Sequence, residues 1–321
     1  MHRIVQVLAE HATVVVSGTK MSAELGASRS AVWRMVQQLR GYGVNIEGHP
    51  TTGYALKQMP DFGSPEILDP LIAGKIFHGK IHHSFRTDST NTRAMAAGAA
   101  GAEHGSVFLA EEQTAGRGRG GHTWLSEKAA GIYCSVLLRP QLEPAEILPL
   151  TLAAGLAAQQ AVEEVTGLRA DLRWPNDLLF GSKKFCGILA EMNAEPTRVR
   201  YVALGIGINV NHLEFPKELR DEATSLLLEM PPHASALARV PLIAALLKSV
   251  DCEYRALISG EPVIARFSER SSYARGKRVR VEEQGEFEGV TAGLDERGFL
   301  RVETENGMKT VISGGVRAIN D

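Results

Sequence analysis

Two apolar runs, residues 184–192 and 201–210, follow one another with only a short stretch between them, and a third run at 177–180 precedes them across Gly181-Ser182-Lys183. Runs this short, bounded by turn residues, read as strands of successive hairpins. Hairpin-linked strands are antiparallel neighbours, so this part of the chain is expected to build a mixed or antiparallel sheet with helices on one side. A doubly wound parallel nucleotide fold is excluded. Gly205-Ile206-Gly207-Ile208-Asn209-Val210 does not complete G-x-G-x-x-G, and no G-x-x-x-x-G-K occurs. A nucleotide, if bound, must be held by another device.

The remaining elements group into three units. At 321 residues and 44% hydrophobic content the chain suffices for two or three cores. The first unit, 1–60, reads as a winged helix-turn-helix. Ile4, Val5 and Leu8 share a helical face with Val7 beside it, a short helix runs from about Lys20 to Leu25, and Gly26 turns the chain. Ser28 caps a third helix that ends at Gly41 and Gly43. Ser22, Gly26 and Val32 occupy the small, turn and core positions such a motif requires. With Val32, Met35, Val36 and Leu39 inside, Ser28, Arg29, Ser30, Trp33, Arg34 and Gln37 are left to meet DNA. A helical domain used only for protein contact is the competing reading, and an outward Trp33 suits it too. Strands at 44–47 and 54–56 form the wing, joined by 48–53.

Residues 58–66, with Pro60, Gly63 and Pro65, read as a linker. The second unit, 66–268, has strands at 81–85, 107–111 and 132–138, an alanine-rich amphipathic helix at 147–165 and a closing helix at 240–258. The third, 274–321, shows short strands at 278–282, 287–293, 299–304 and 309–312, with turns at Glu283-Gln284-Gly285, Glu296-Arg297-Gly298 and Asn306-Gly307. Residues 1–60 carry six Lys/Arg against three Asp/Glu, whereas the rest carries 29 against 34. That slight basic excess points the same way as the helix-turn-helix. Cys134, Cys186 and Cys252 are odd in number, widely spaced and set among apolar residues, which reads as reduced, buried thiols. With no leader pattern and no long uncharged apolar run, a soluble cytoplasmic protein is expected.

The chemistry concentrates between Glu111 and Trp124, E-E-Q-T-A-G-R-G-R-G-G-H-T-W. Glycines bring backbone N–H groups close to a ligand, and the arginine fork matches phosphate or carboxylate. The stretch suits an anion wrapped by a loop, such as a nucleotide α-phosphate, with Trp124 able to stack on a base. On composition alone, a solvated surface loop fits equally well. Similarly, Asp88-Ser89-Thr90-Asn91 caps a helix whose free N–H groups suit a small polar head group, or caps it and nothing more.

The surroundings of this loop decide between the readings. Ser89-Thr90-Asn91 lies upstream, and Arg173-Trp174-Pro175-Asn176-Asp177, Lys184-Phe185-Cys186-Gly187-Ile188-Leu189 and Gly205-Ile206-Gly207-Ile208-Asn209 lie downstream. In this order and spacing the set resembles the biotin protein ligases, and the N-terminal unit makes it similar to the bifunctional kind that is also a biotin operon repressor. The resemblance spans essentially the whole chain.

The resemblance implies a class II synthetase-like central domain and an SH3-like C-terminal β-barrel. It implies a reaction in which biotin and Mg·ATP give biotinyl-5′-AMP, which then acylates a lysine of a biotin carboxyl carrier protein. Lys184, Arg117 and Arg119 would be catalytic. Biotin would meet Ser89, Thr90, Asn91, Gln113, Arg117, Gly118, Arg119, Lys184, Gly187, Leu189, Gly205 and Gly207, the glycines making room for the bicycle and its chain. Gly116, Arg119, Trp124, Asn176, Lys184 and Asn209 would hold the nucleotide, and Asp177 would hold a metal such as Mg2+ or orient the incoming lysine. Without the resemblance, Lys184 reads as a solvated hairpin lysine and W-P-N-D as structural. His122 stands where the family usually has a basic residue. Operator DNA and a homodimer in the adenylate-bound state are the further partners implied. A ligase without repression, a biotin sensor without catalysis and a lipoate–protein ligase are the alternatives.

Overall fold

The computed structural model describes residues 1–11, 15–49, 52–282 and 285–319. The expected wing tip at Pro50-Thr51 and the turn at Glu283-Gln284 lie outside them.

The N-terminal unit contains α1 (His2–Glu10), α2 (Gly18–Leu25), α3 (Arg29–Gly41) and the antiparallel hairpin β1 (Ile46–His49) and β2 (Gly53–Leu56). Its local signals are physical. Ser17 and Ser28 accept from Lys20 N and Ala31 N and so cap α2 and α3, while Gly26 ends α2 in the left-handed region at φ 60°. Ile4, Val7, Leu8, Met21, Val32, Val36 and Leu39 are buried beneath the hairpin. The segment expected to be a linker is docked on the central unit. Asp61 accepts from the backbone N–H groups of Arg239 and Val240. Phe62 packs between His83 and Phe85, so the N-terminal core extends into the next unit.

After the short helix α4 (Pro65–Leu68), the central unit is a seven-stranded mixed sheet: β3 (Ile81–Ser84), β4 (Ser106–Ala110), β5 (Gly131–Leu138), β6 (Asp171–Arg173), β7 (Asp177–Phe180), β8 (Lys183–Glu195) and β9 (Arg198–Asn209). The order is β3-β4-β5-β9-β8-β7-β6, with only β3 and β4 parallel. Helices cover both faces, not one. Every residue of β5 is buried, as a strand covered on both sides must be. Ser135 faces α5 (Thr90–Ala99), bonding to Thr90 and Asn91, and its register partner is Gly205, itself opposite Leu189. Ile188, one residue away and on the other face, packs near Gly155 of α6 (Ile147–Thr166). On that face lie α6, the expected amphipathic helix, and α8 (Arg239–Ile258). Sheet and helices enclose α6, which is buried on almost every side from Ile147 to Val162. Before α8 comes the short α7 (Leu226–Glu229), and after it α9 (Val263–Arg270), a helix the apolar pattern did not disclose.

The C-terminal unit is an antiparallel five-stranded sheet of β10 (Arg275–Glu282), β11 (Glu286–Leu294), β12 (Leu300–Thr304), β13 (Gly307–Val311) and β14 (Gly315–Ala318), in the order β13-β12-β11-β10-β14. Among the described residues β13 and β14 do not pair, so the sheet is not closed into a barrel. Trp174 Nε1 donates to Gly298 O at 2.8 Å and seats the central unit against this sheet. Cys134 and Cys186 are buried but Cys252 is exposed, against expectation. Among the described residues no helix is long and apolar enough to cross a membrane.

Candidate active site

The Gly/Arg stretch folds back on itself as a flap. Trp124 N donates to Gly116 O (2.9 Å) and Gly118 N to His122 O (2.7 Å), with Arg117 paired to Thr123. The reversal passes through Gly120 and Gly121 at φ 62° and 81°, where residues with a Cβ are strained. At the root, Gly116 is buried, and a Cβ there would stand 2.7 Å from Ser126 Oγ.

Beneath the flap, Gly187 faces Gly207 and Leu189 faces Gly205 on neighbouring strands. The room left by the missing side chains is not empty. A Cβ on Gly207 would stand 2.6 Å from the Trp124 indole, one on Gly187 would meet Trp124 and Lys184 at 2.9 Å, and one on Gly205 would strike Asn91. The glycines let these three side chains approach the sheet closely, and all three glycines line the cleft. The indole Nε1–H of Trp124 is buried with no acceptor among the described residues.

Lys184 reaches the cleft through a defect in the ladder. β7 and β8 pair Leu178 with Cys186 and then Leu179 with Lys184, so Phe185 is an extra residue. Regular alternation would turn Phe185 to the cleft and bury Lys184 with Cys186. The bulge instead leaves Phe185 and Cys186 fully buried in succession and brings Lys184 round beside Gly187. Its backbone is clamped, Lys184 N donating to Glu222 O (2.8 Å) and Thr224 N to Lys184 O (3.0 Å).

The ammonium stands 2.5 Å from Asp177 Oδ1 and 5.3 Å from the Trp124 ring centroid. Arg173 holds the other Asp177 oxygen at 2.6 Å. Burial pushes the Asp177 carboxyl up, but the Lys184 and Arg173 charges outweigh it and hold it below the ordinary carboxylate value. With both oxygens committed to cations, Asp177 does not fit the expected role of metal ligand. Among the described residues no three His, Cys, Asp or Glu side chains cluster to hold a metal. Cys134 and Cys186 are no nucleophiles either, since burial pushes both thiols up, Cys134 to about 12.

The polar wall comes from the start of α5. Ser89, Thr90 and Asn91 border the cleft and are almost wholly buried. Thr90 donates from N (2.8 Å) and Oγ1 (3.1 Å) to Gln113 Oε1. Arg117, Gly118 and Arg119 complete the rim. Arg119 Nη1 donates to Asn176 Oδ1 at 3.4 Å, and Asn176 is itself fixed by donating to Ile188 O. Burial pulls the Arg119 guanidinium below its ordinary pKa while Asp177 opposes the shift; it stays protonated near neutrality. Among the described residues no carboxylate pairs with it, so Arg119 remains available to an anion.

Two expected contacts lie outside the cleft lining, Gly116 at the flap root and Asn209 one strand pair beyond Gly207. Asn209 donates to Thr224 O, and its Oδ1 is buried without a partner among the described residues. Among the contributors that escaped the sequence reading are Tyr133, Ile188 and Ile206 of the lining and one acidic residue beside it. Glu191, on the cleft side of β8, pairs with Arg117 at 2.8 Å and accepts from Asn91 Nδ2 at 3.0 Å. An acidic residue inside the apolar run 185–192 was the available signal.

A second, separate face belongs to α3. Ser28, Arg29, Ser30, Trp33 and Arg34 are exposed and Gln37 half-buried, with Trp33 55% exposed.

Residues 84–209 match the model of the biotin/lipoate A/B protein ligase family, 275–316 that of the biotin protein ligase C-terminal domain, and 1–55 that of a helix-turn-helix domain. The bifunctional ligase/repressor BirA of Bacillus subtilis is 35% identical over 318 residues, covering 98% of this chain and 97% of its own length. The biotin–[acetyl-CoA-carboxylase] ligase of Mycobacterium tuberculosis is 35% identical over 263 residues, 80% of this chain and 95% of its own. Among solved structures, the biotin protein ligase of Aquifex aeolicus in complex with biotin and ATP superposes with a TM-score of 0.65 at 30% identity, covering 75% of this chain and all of that one.

Proposed function

The chain belongs to the bifunctional biotin protein ligases, and we propose that its cleft condenses biotin with ATP and passes it to a carrier lysine while residues 1–60 bring the molecule to operator DNA. The observation that carries this is the bulge at Phe185, which sets one ammonium beside Arg119 and Trp124 on a glycine floor under a flap.

In the first step a biotin carboxylate oxygen attacks the α-phosphorus of ATP. An O–P bond forms, the bond to the β-phosphate bridge breaks, and pyrophosphate leaves with the electron pair. Anion attacks anion, so what matters is placement and positive charge and not a base. Lys184 lies where it can neutralise the carboxylate and α-phosphate together, held there by Asp177. Arg119 covers the phosphate from the flap, and Trp124 offers an aromatic face. Thr90, Asn91 and Gln113 supply the donors and acceptors a ureido ring needs, since each polar group left unmade there costs about 1–3 kcal/mol. Mg2+ enters in this reading with the nucleotide, as Mg·ATP. In the second step the lysine amine of a biotin carboxyl carrier protein attacks the acyl carbon, AMP leaves with the electrons of the broken C–O bond, and the amine gives up a proton.

We assign the domains as 1–60, 66–268 and 274–321, with a class II synthetase-like central core and a C-terminal sheet of SH3 type, in a cytoplasmic protein. A single winged helix carries too little charge to hold an operator alone, so repression rests on a homodimer formed with the adenylate bound. Its surface is an edge of the central sheet. The β6 edge is engaged by Ser271 and Ser272, which leaves β3.

Incubating the protein and a carrier domain with ATP and either biotin or lipoate, then weighing the carrier by mass spectrometry, tests the reading. Addition of biotin alone is expected. Lipoate addition, or none, would overturn it.

A further inference from the structure

The polar groups of the cleft join into a closed ring that includes the flap. Arg117 Nη2 meets Glu191 Oε1 at 2.8 Å, and Glu191 Oε2 accepts from Asn91 Nδ2 at 3.0 Å. Asn91 Oδ1 accepts from Ser135 Oγ (2.6 Å), which lies 2.7 Å from Thr90 Oγ1. Thr90 N donates to Gln113 Oε1 (2.8 Å), Gln113 Nε2 donates to Ser126 Oγ (2.8 Å), and Ser126 Oγ donates to Trp124 O (3.2 Å). Trp124 N donates to Gly116 O, and Gly116 precedes Arg117.

The direction of this ring is set at one point. Asn91 faces two acceptors on β8, the Glu191 carboxylate and Leu189 O, so its amide must turn Nδ2 toward them and Oδ1 toward Ser135. That choice commits the Ser135 hydroxyl to Asn91. The Glu191 carboxylate presents a separate oxygen to each, Oε1 to Arg117 and Oε2 to Asn91. The Arg117 side chain is 52% exposed and that of Glu191 22%. Such an exposed pair contributes little as an ion pair; its effect is orientation.

We propose that Glu191 is a positioning residue that makes head-group binding and flap closure one event, an inference that rests on the ligase reading above. It fixes Asn91 on the substrate side and Arg117 on the flap side, so a ligand seated on Thr90 and Asn91 also holds the flap down.

The test is Glu191→Gln in the full chain, followed by biotin-dependent ATP–pyrophosphate exchange and by the rate at which preformed biotinyl-AMP escapes. The amide has one acceptor oxygen, so either Arg117 or Asn91 loses its partner. KM for biotin should rise roughly tenfold, the scale of one lost charge-assisted hydrogen bond. Escape should quicken by a similar factor, kcat should stay within about twofold and thermal stability should hold. Adding Arg117→Ala should then quicken escape by less than the product of the single effects. Unchanged KM and escape, a fall in kcat at constant KM, or independent effects in the double variant would each overturn the proposal. Absence of biotin-dependent exchange in the unsubstituted protein would instead remove the ligase reading itself.

Discussion

Arg239 at the start of α8 reaches Glu111 at the head of the flap segment, Nη1 to Oε2 at 2.7 Å, with each side chain only 4% exposed. The same guanidinium donates to Gly131 O, just past the flap's other root, and to the Asp61 backbone carbonyl. The second Glu111 oxygen meets His83 Nε2 at 2.8 Å, and His83 meets His2 of α1. One buried carboxylate thus ties the two flap roots to each other and to the N-terminal unit. Removing one partner of such a pair is costly because the other charge stays buried. Glu111→Gln should destabilise the chain by about 2–3 kcal/mol in urea denaturation, given that Arg239 keeps Asp61. A change below about 0.5 kcal/mol, the scale of a neutral surface substitution, would contradict the account.

Acid should find the same weakness. Burial alone would raise the Glu111 pKa, but His83 and Arg239 prevail and hold it below its ordinary 4.5. Asp177 is likewise held below 3.8 by Lys184 and Arg173. For a depressed carboxylate the stabilisation is complete above the unfolded pKa and lost as pH falls through the folded one. Stability should therefore be flat in these groups above about pH 5 and decline below it. The Glu111→Gln variant should lose less between pH 5 and 3 than the parent. Parallel curves would show that Glu111 is not one of the groups responsible.

Gly207→Ala tests the floor. The new methyl would stand 2.6 Å from the Trp124 indole, so the ring must shift from its place on the floor. Overpacking of this kind costs about 1–3 kcal/mol, so adenylate formation should fall roughly tenfold or more. Far-ultraviolet dichroism should stay the same while tryptophan emission shifts, since Trp174 is buried elsewhere and Trp33 is already in solvent. Activity close to the parent's would mean that the indole is not held where it must act.

How much of this was readable beforehand follows from which residues carry their own signal. Ser28 and Gly41 announced α3 because caps and stops are local chemistry. The flap, W-P-N-D and the glycine pairs were legible as a set. The bulge was not, because an extra residue in β8 exists only relative to its partner β7; two adjacent buried residues, Phe185 and Cys186, were its sole trace. Glu191 was missed for a similar reason, since its partners lie far away in sequence on α5 and the flap. The second helical face of the sheet was missed because α5 looked like a capped helix with no stated side. Strand β14 carries too few apolar residues to register, and only its pairing with β10 defines it.

Operator binding should depend on α3. Arg34→Ala should weaken DNA binding across sequences and reduce the salt slope by about one if Arg34 meets a phosphate. Sedimentation of the protein alone, with biotin, and with a non-hydrolysable biotinyl-AMP analogue should show a dimer chiefly in the last state, with operator affinity rising alongside. The typical coupling for such a ligand is about 1–3 kcal/mol. Equal association in all three states would leave α3 without a regulatory switch.

The central claim is that a bulge brings Lys184 to the point where biotin meets ATP. Pyrophosphate release by Lys184→Ala, measured with biotin binding followed in the same samples, tests it most directly. Lys184 is 28% exposed and Arg173 still pairs with Asp177 when it is removed, so the variant should fold, bind biotin weakly, and release pyrophosphate at a rate indistinguishable from the biotin-free background. Release at near the parent's rate would contradict the account.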